Sequence, residues 1–261
     1  NATGQFSTLT SGNYTVSITD NNACTYNQNV VITQPTAPLS GVTLNQTSVD
    51  CFGNNTGQIQ VSGSNGTSPY SYTLGGANNT NGNFTNLIAG NFNITITDNN
   101  ACTFVYPIVV TQPTAALTAT IANQTDALCF NGSNGTVTLT ATDGTPNYLY
   151  GVSGTTLTNN PLISGMSAGN YTVIVQDNNS CTVALNVIIG QPLLPVSASV
   201  TSTTDVLCYG SATGVLNVHA SDGFAPYNYT LGPNTNINGQ FNNLTAGNYT
   251  VNITDNNGCV A

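Results

Sequence analysis

The chain of 261 residues contains neither lysine nor arginine, and its only formally charged side chains at neutral pH are nine aspartates. Charged residues make up 3% of the sequence, against about 25% in an average globular domain. Without cationic side chains the chain cannot neutralise phosphate groups, so we expect no nucleic-acid partner and no electrostatic attachment to anionic lipid. The missing lysine also excludes a P-loop or a Schiff-base site.

Other features that the sequence lacks bear on location and chemistry. It has no run of 18 apolar residues and no basic segment followed by an apolar stretch, so we expect no membrane insertion and see no signal peptide. It has no initiator Met, so we interpret it as part of a longer or processed chain. His219 is the only histidine, which leaves nucleophilic serine or threonine without a repeated base. We therefore expect no enzyme activity and no cofactor.

Seven cysteines reveal an internal repeat. Those at 24, 102, 181 and 259 are spaced by 78, 79 and 78 residues, and those at 51, 129 and 208 by 78 and 79. The first set ends a D-N-N-x-C motif, and the second begins a C-[FY]-x4-G motif. Ten residues before each D-N-N-x-C cysteine stands an aromatic residue preceded by Gly-Asn, and a Gln-Pro pair marks the end of three repeats. The sequence is therefore a tandem array with one period.

Each repeat has the residue pattern of β-strands. After Gly57, apolar Ile59 and Val61 alternate with polar neighbours, and the same alternation follows Gly135 and Gly214. Asn-Gly or Asp-Gly turns come next, and β-branched residues dominate while helix signals are missing. Six or seven short strands per repeat predict an all-β fold of tandem immunoglobulin-like antiparallel β-sandwich repeats of 78–79 residues.

The phase of the repeat predicts four segments. Residues 1–37 form the C-terminal part of one Ig-like repeat, 38–115 and 116–193 are whole repeats, and 194–261 is a repeat lacking its last strand. An incomplete sandwich exposes its edges and core. We therefore expect either that the chain continues, or that a neighbouring molecule supplies the missing strands.

The regular cysteines predict disulfides and an oxidising, extracytoplasmic compartment. Pairing across the longer gap gives one bridge inside each repeat, and we favour it: Cys51 with Cys102, Cys129 with Cys181, and Cys208 with Cys259. Pairing across the 27-residue gap would join successive repeats, and free buried thiols are a further alternative. Under the favoured pairing Cys24 is unpaired within this segment.

Two residue types are candidates for binding sites. Asp98, Asp177 and Asp255 of the D-N-N-x-C motif could bind calcium through their oxygens, although aspartate in such a motif more often holds a tight turn. Paired tyrosines such as Tyr70 and Tyr72 could stack on sugars, although a packed core is the commoner role for them.

The ordered motifs resemble those of the SprB repeat, found in many copies in large surface adhesins of gliding Bacteroidota-type bacteria. The resemblance rests on Cys208-Tyr209 and Gly214, on Gly223 with Pro226-Tyr227 and Tyr229, and on the run from Leu244 to Cys259. It implies type IX secretion and display as an extracellular filament at the cell surface.

We therefore expect a structural segment of a surface filament or adhesin stalk that serves spacing, attachment, gliding motility or filament bundling. Its expected partners are neighbouring copies of itself in a filament or tandem array. The alternative is an adhesive module that binds carbohydrate or calcium at one site per repeat, with surface glycans as partners.

Overall fold

The computed structural model describes residues 3–261, and these residues contain strands and turns but no helix. No described segment forms a helix that could cross a bilayer. The chain divides into two compact units, Asn1–Gln112 and Pro113–Ala261. The prediction of an all-β array of Ig-like repeats is confirmed, while the repeat boundaries after residues 37, 115 and 193 stay predictions.

The first unit holds a β-hairpin followed by a complete sandwich. The hairpin strands are β1 (Gly12–Thr19) and β2 (Thr25–Ile32). The strands of the sandwich, which we call sandwich I, are β3 (Ser40–Thr47), β4 (Gly57–Ser64), β5 (Ser71–Leu74), β6 (Ala77–Asn79), β7 (Asn83–Leu87), β8 (Gly90–Thr97) and β9 (Thr103–Val110). One sheet has the order β3-β4-β7 and the other β6-β5-β8-β9, and all pairs are antiparallel.

The second unit holds two further sandwiches, II and III. Sandwich II comprises β10 (Thr118–Thr125), β11 (Gly135–Thr142), β12 (Leu149–Val152), β13 (Leu162–Met166), β14 (Gly169–Gln176) and β15 (Thr182–Ile189). Sandwich III comprises β16 (Ser197–Thr204), β17 (Gly214–Ser221), β18 (Asn228–Leu231), β19 (Asn234–Asn236), β20 (Gln240–Leu244) and β21 (Asn252–Thr254). Sandwich III has no strand equivalent to β9 or β15, and its β21 is shorter than the equivalent β8 because β21 has no such strand to pair with.

Each sandwich encloses its own small apolar core, because alternate residues of a strand point to opposite sheet faces. Ile59 and Val61 of β4 and Ile94 and Ile96 of β8 are buried against one another between the two sheets. Equivalent clusters form in sandwiches II and III. The polar residues that alternate with them cover the outer faces, so the two-residue period seen in the sequence becomes one buried face per sheet.

The aromatic residue after Gly-Asn has a structural role in three repeats. The hydroxyl groups of Tyr14, Tyr171 and Tyr249 each donate a hydrogen bond to the backbone carbonyl four residues earlier, at 2.7–3.0 Å. This arrangement is the tyrosine corner of Ig-like domains, which ties a loop to the start of a central strand. Sandwich I has Phe92 at this position, and phenylalanine has no hydroxyl.

We expect Tyr171→Phe to destabilise sandwich II by about 1 kcal/mol, because it removes one hydrogen bond while keeping the ring. Amide hydrogen exchange along β14 measures the effect locally, which matters because separate sandwiches need not unfold together. Exchange along β8, where Phe92 already lacks the hydroxyl, serves as the internal reference and should not change. Equal loss of protection in both strands would contradict a local role for the corner.

Candidate functional site

The C-[FY]-x4-G motif forms a tight loop, which we call the cysteine loop, directly after the first strand of each sandwich. The carbonyl of Cys51, Cys129 or Cys208 accepts the backbone N–H three residues later. A second hydrogen bond closes the loop. The side chain of the residue before the motif's glycine accepts it from the backbone N–H of the residue before the cysteine. In sandwich II this bond joins Leu128 N to Asn134 Oδ1 at 2.9 Å.

The Gln-Pro motif fastens the cysteine loop to the end of the sandwich's last strand. Gln112 Oε1 accepts the N–H of Gly53 at 2.8 Å, and Gln191 Oε1 accepts the N–H of Asn131 at 2.8 Å. From the sequence, Gln-Pro was recognised only as a boundary marker, and this role was missed. The available signal was its recurrence ten residues after the D-N-N-x-C cysteine in three repeats.

The D-N-N-x-C motif forms the turn between the last two strands, which we call the aspartate turn. In sandwich II, Asp177 Oδ1 accepts the N–H groups of Asn179 and Cys181 at 2.9 Å, and Oδ2 accepts that of Thr145 at 2.8 Å. Asp98 and Asp255 make the same three bonds in sandwiches I and III. All three carboxylates are buried, so this network fixes the position of the cysteine.

The Asn-Gly or Asp-Gly turn predicted from the sequence packs against this carboxylate. Gly144 and Gly223 have positive φ angles of 62° and 64°, and a Cβ there would lie 2.6–2.7 Å from an oxygen of Asp177 or Asp255. Only glycine allows this close approach at such an angle. The neighbouring loop can therefore donate its N–H to the carboxylate.

The predicted disulfide inside each sandwich is wrong. In sandwich II, Cys181 directly precedes β15, whereas the loop of Cys129 is fastened to Gln191, just beyond that strand's other end. Eight residues of strand separate these ends by about 26 Å, while a disulfide needs Cα atoms within about 7 Å. Sandwich I has the same layout, and its Cys102 is free.

The bridge that forms in the second unit joins neighbouring sandwiches. Cys129 in the cysteine loop of sandwich II is bonded to Cys259 in the aspartate turn of sandwich III, with a Cα–Cα distance of 5.5 Å and a sequence separation of 130. Asn257 Nδ2 donates to the Leu128 carbonyl at 3.2 Å, and Cys259 Sγ lies 3.5 Å from the same oxygen. We call this arrangement the clasp. Neither gap considered from the sequence predicts it.

The remaining cysteines are either disulfide-bonded or free. Cys51 and Cys181 are disulfide-bonded. Cys24, Cys102 and Cys208 are free and exposed. The predicted partners of Cys51 and Cys259, namely Cys102 and Cys208, are therefore unbonded, and the predicted pair of Cys129 with Cys181 is replaced by the clasp.

The aspartates that were candidates for binding calcium have a structural role. The carboxylate oxygens of Asp98, Asp177 and Asp255 point at backbone N–H groups, which are donors and compete with a cation for the same lone pairs. Within residues 3–261 no three histidine, cysteine or acidic side chains converge as metal ligands.

The tyrosine pair is part of the core. Tyr72 is buried with its hydroxyl bonded to Gly63 N, and Tyr70 packs against the same core and donates to the Gly66 carbonyl. In sandwich II burial raises the pKa of the equivalent Tyr150, with Tyr148 adding to the shift. Neither ring face of such a buried tyrosine offers a sugar-stacking platform.

A cleft of about 640 Å³ lies along the open side of sandwich III and is lined by Val200, Leu216, Tyr249 and Val251, among others. In sandwich II the corresponding place is filled by β15, whose Val187 and Ile189 are buried in the core.

The two-sheet topology, the tyrosine corner and the recurring loops define a tandem series of immunoglobulin-like domains. A family model described as the SprB repeat matches residues 43–79, 121–156 and 200–236. Three stretches of the chain therefore match the SprB repeat, which supports a structural repeat segment of a surface adhesin-like protein. Each match contains a cysteine loop, while the aspartate turns lie outside the matched residues.

Solved structures that match the chain include fibronectin(III)-like modules of CbhA from Clostridium thermocellum, at 15% identity and a TM-score of 0.30, covering 58% of this chain and 95% of that one. Three N-terminal domains of the Hoc capsid protein of bacteriophage RB49 match at 13% identity and a TM-score of 0.33, covering 85% and 84%. No curated protein matches the sequence.

We expect Asp177→Asn to destabilise sandwich II by about 1–3 kcal/mol, because an amide nitrogen in place of Oδ2 would face the N–H of Thr145, leaving a donor against a donor. The matched control is Asp143→Asn, which changes an exposed aspartate in the adjacent turn and should stay within about 0.5 kcal/mol of wild type. Hydrogen exchange of the β14 and β15 amides measures both. Equal effects of the two variants would contradict the role assigned to Asp177.

Hydrogen bonding, above all from the Thr67 N–H, lowers the pKa of Asp98 below its ordinary value of 3.8. A carboxyl group whose pKa is lower in the folded state stabilises the fold above the unfolded pKa, and this contribution is lost as the pH falls through the folded value. Protection of β8 and β9 should therefore weaken below about pH 4. Asp98→Asn should flatten this pH dependence, and an unchanged profile would refute the assignment.

Proposed function

We propose that the chain is a load-bearing spacer in a cell-surface filament or adhesin stalk. The clasp between sandwiches II and III carries the proposal, because it joins two domains of the same kind through their ends. A binding module needs a site in each domain, whereas the recurring residues here build turns, corners and links between domains. Such a role scales with the number of repeats.

The clasp changes the path that a pulling force takes. Cys129 and Cys259 are 130 residues apart in sequence but their Cα atoms are 5.5 Å apart. Tension that enters at Cys129 can cross the disulfide without stretching the loop between the two cysteines. The loop contains most strands of both sandwiches and would span about 430 Å if fully extended. The covalent link therefore shields the folded strands from load.

The composition supports exposure outside the cell. Because the chain has no lysine or arginine, it offers no cleavage site to trypsin-like proteases, and its disulfides suit an oxidising compartment. We propose export by the type IX route and display at the cell surface, with roles in gliding or filament bundling. Recognition of surface glycans stays a prediction, and no described contact favours it.

Force spectroscopy on the 261-residue chain, pulled from its two ends, tests the load-bearing role. A variant with Cys24, Cys102 and Cys208 changed to Ser keeps the bonded cysteines and removes the free thiols. We expect the reduced protein to extend at least about 430 Å further than the oxidised protein, since reduction releases the 130-residue loop.

The control is the same chain with all seven cysteines changed to Ser, which should extend fully with or without reductant. Equal final extensions of the oxidised and reduced three-serine variant would refute the shielding role.

A further inference from the structure

The Asn-Gly turn between β4 and β5 of sandwich I corresponds to Asp-Gly turns in sandwiches II and III. The residues that precede the glycine, Asn65, Asp143 and Asp222, are exposed and have positive φ angles of 65°, 63° and 60°. Ser40 Oγ accepts a hydrogen bond from Asn65 Nδ2 at 2.9 Å, and the equivalent Ser197 donates to Asp222 Oδ2 at 3.1 Å. The same backbone turn therefore holds either an amide or a carboxylate beside this serine.

An asparagine that precedes glycine is open to one uncatalysed reaction, the loss of its side-chain amide. The glycine N–H nitrogen attacks the carbonyl carbon of the asparagine side chain, and glycine favours the attack because it has no Cβ to block the approach. A nitrogen that is buried, or whose N–H is held in a hydrogen bond, must first be released, which costs free energy. The sequence contains six Asn-Gly pairs, so the structure decides which of them reacts first.

Five of the six pairs are held in a way that opposes this attack. Four glycine N–H groups donate hydrogen bonds at 2.7–3.1 Å, those of Gly82, Gly132, Gly239 and Gly258. In the fifth pair Gly135 is buried, and Asn134 Oδ1 before it accepts the N–H of Leu128 at 2.9 Å. These pairs must break local structure before they react.

The sixth pair, Asn65-Gly66, is open to the attack. Gly66 is partly exposed, and within residues 3–261 no group accepts its N–H. The equivalent Gly144 of sandwich II donates to the Ala115 carbonyl at 3.2 Å. Because the Asn65 side chain bonds to Ser40 through its nitrogen, its carbonyl carbon stays accessible to the Gly66 nitrogen.

We propose that Asn65 is a site of spontaneous deamidation, and that its conversion to aspartate gives sandwich I the Asp-Gly turn that sandwiches II and III already have. The product fits the turn because Asp143 and Asp222 occupy it with nearly the same φ angle. Conversion adds one negative charge to a chain that has no lysine or arginine to balance it. The proposal goes beyond the spacer role and does not depend on it.

The reaction needs only water as a co-reactant. The Gly66 nitrogen bonds to Cγ of Asn65, the bond from Cγ to Nδ2 breaks, and Nδ2 leaves as ammonia with the proton of the Gly66 nitrogen, so that a cyclic succinimide remains. Water then adds to either ring carbonyl carbon and breaks its bond to the ring nitrogen, which regains a proton. Addition at Cγ gives aspartate, and addition at the main-chain carbonyl carbon gives isoaspartate. No group is oxidised or reduced.

The test ages the folded 261-residue protein in mildly alkaline buffer and follows the mass of each Asn-Gly peptide over time. We expect Asn65 to convert at least about fivefold faster than the other asparagines of such pairs, since breaking one hydrogen bond adds to their barrier. A protease that cleaves beside aspartate but not beside isoaspartate distinguishes the two products. In the reduced and denatured chain all the pairs should convert at similar rates.

Three results of this experiment would overturn the proposal. They are an unchanged Asn65 in the folded protein, faster conversion at another Asn-Gly pair, and an equal preference for Asn65 in the denatured chain. The last result would assign the preference to the neighbouring sequence and not to the fold.

A matched pair of variants tests the part played by the glycine N–H. Asp222→Asn and Asp143→Asn each create an Asn-Gly pair in the equivalent turn. The Gly223 N–H has no acceptor among the described residues, whereas that of Gly144 is hydrogen-bonded. We expect the amide introduced at 222 to be lost at a rate close to that of Asn65, and the amide at 143 to be lost about fivefold more slowly. Equal rates in the two variants would contradict the assigned role of the N–H.

The variant Asn65→Asp tests whether the turn accepts the product. Hydrogen exchange of the β4 and β8 amides should stay within about twofold of wild type, because only an exposed side chain changes. Asn65→Val is the control, since a β-branched residue is disfavoured at a positive φ angle and should weaken protection of both strands. Equal loss of protection in the two variants would show that the turn rejects aspartate and would refute the proposed product.

Discussion

The hydrogen bonds from three backbone N–H groups to one buried aspartate carboxylate are the interaction on which the repeated structure depends. A chain without lysine or arginine cannot neutralise a buried carboxylate with a side-chain cation, so backbone donors must do it. Asp98, Asp177 and Asp255 each join the turn that carries a cysteine to a loop from the facing sheet. Among the described residues no buried side-chain nitrogen or oxygen lacks a partner, which shows how completely neutral polar groups replace ion pairs here.

The two cysteine-bearing elements lie at opposite ends of each sandwich, and this placement determines what their thiols can do. A cysteine loop held at one end by Gln191 cannot reach an aspartate turn at the other end of the same domain. It can reach the turn of the following domain, as Cys129 reaches Cys259. The disulfide therefore acts as a link between domains, and each domain core must be stable through its own packed sheets. Those cores are small but recur with the same architecture.

Much of the fold could be predicted from local sequence because its determinants are local. Alternation at Ile59 and Val61, the Asn-Gly and Asp-Gly turns and the 78–79-residue period act over a few residues or repeat regularly, so they can be recognised without coordinates. The tyrosine corner was within reach too, since Tyr171 follows Gly-Asn at the start of a central strand. The cysteine pairing was not, because loop length and period alone do not tell which end of a sandwich a cysteine occupies.

The sequence by itself determined the all-β class, the repeat, the oxidisable cysteines and the lack of any cation for anionic partners, because composition and short-range patterning carry this information. Only the tertiary structure decided that Asp177 is a turn anchor, that Tyr72 is a core residue and that Cys129 bonds Cys259. The physical reason is that these roles depend on which groups distant strands bring within bonding distance. A strand of eight residues separates its two ends by several times the reach of a disulfide, and only the sheet topology assigns each cysteine to one of those ends.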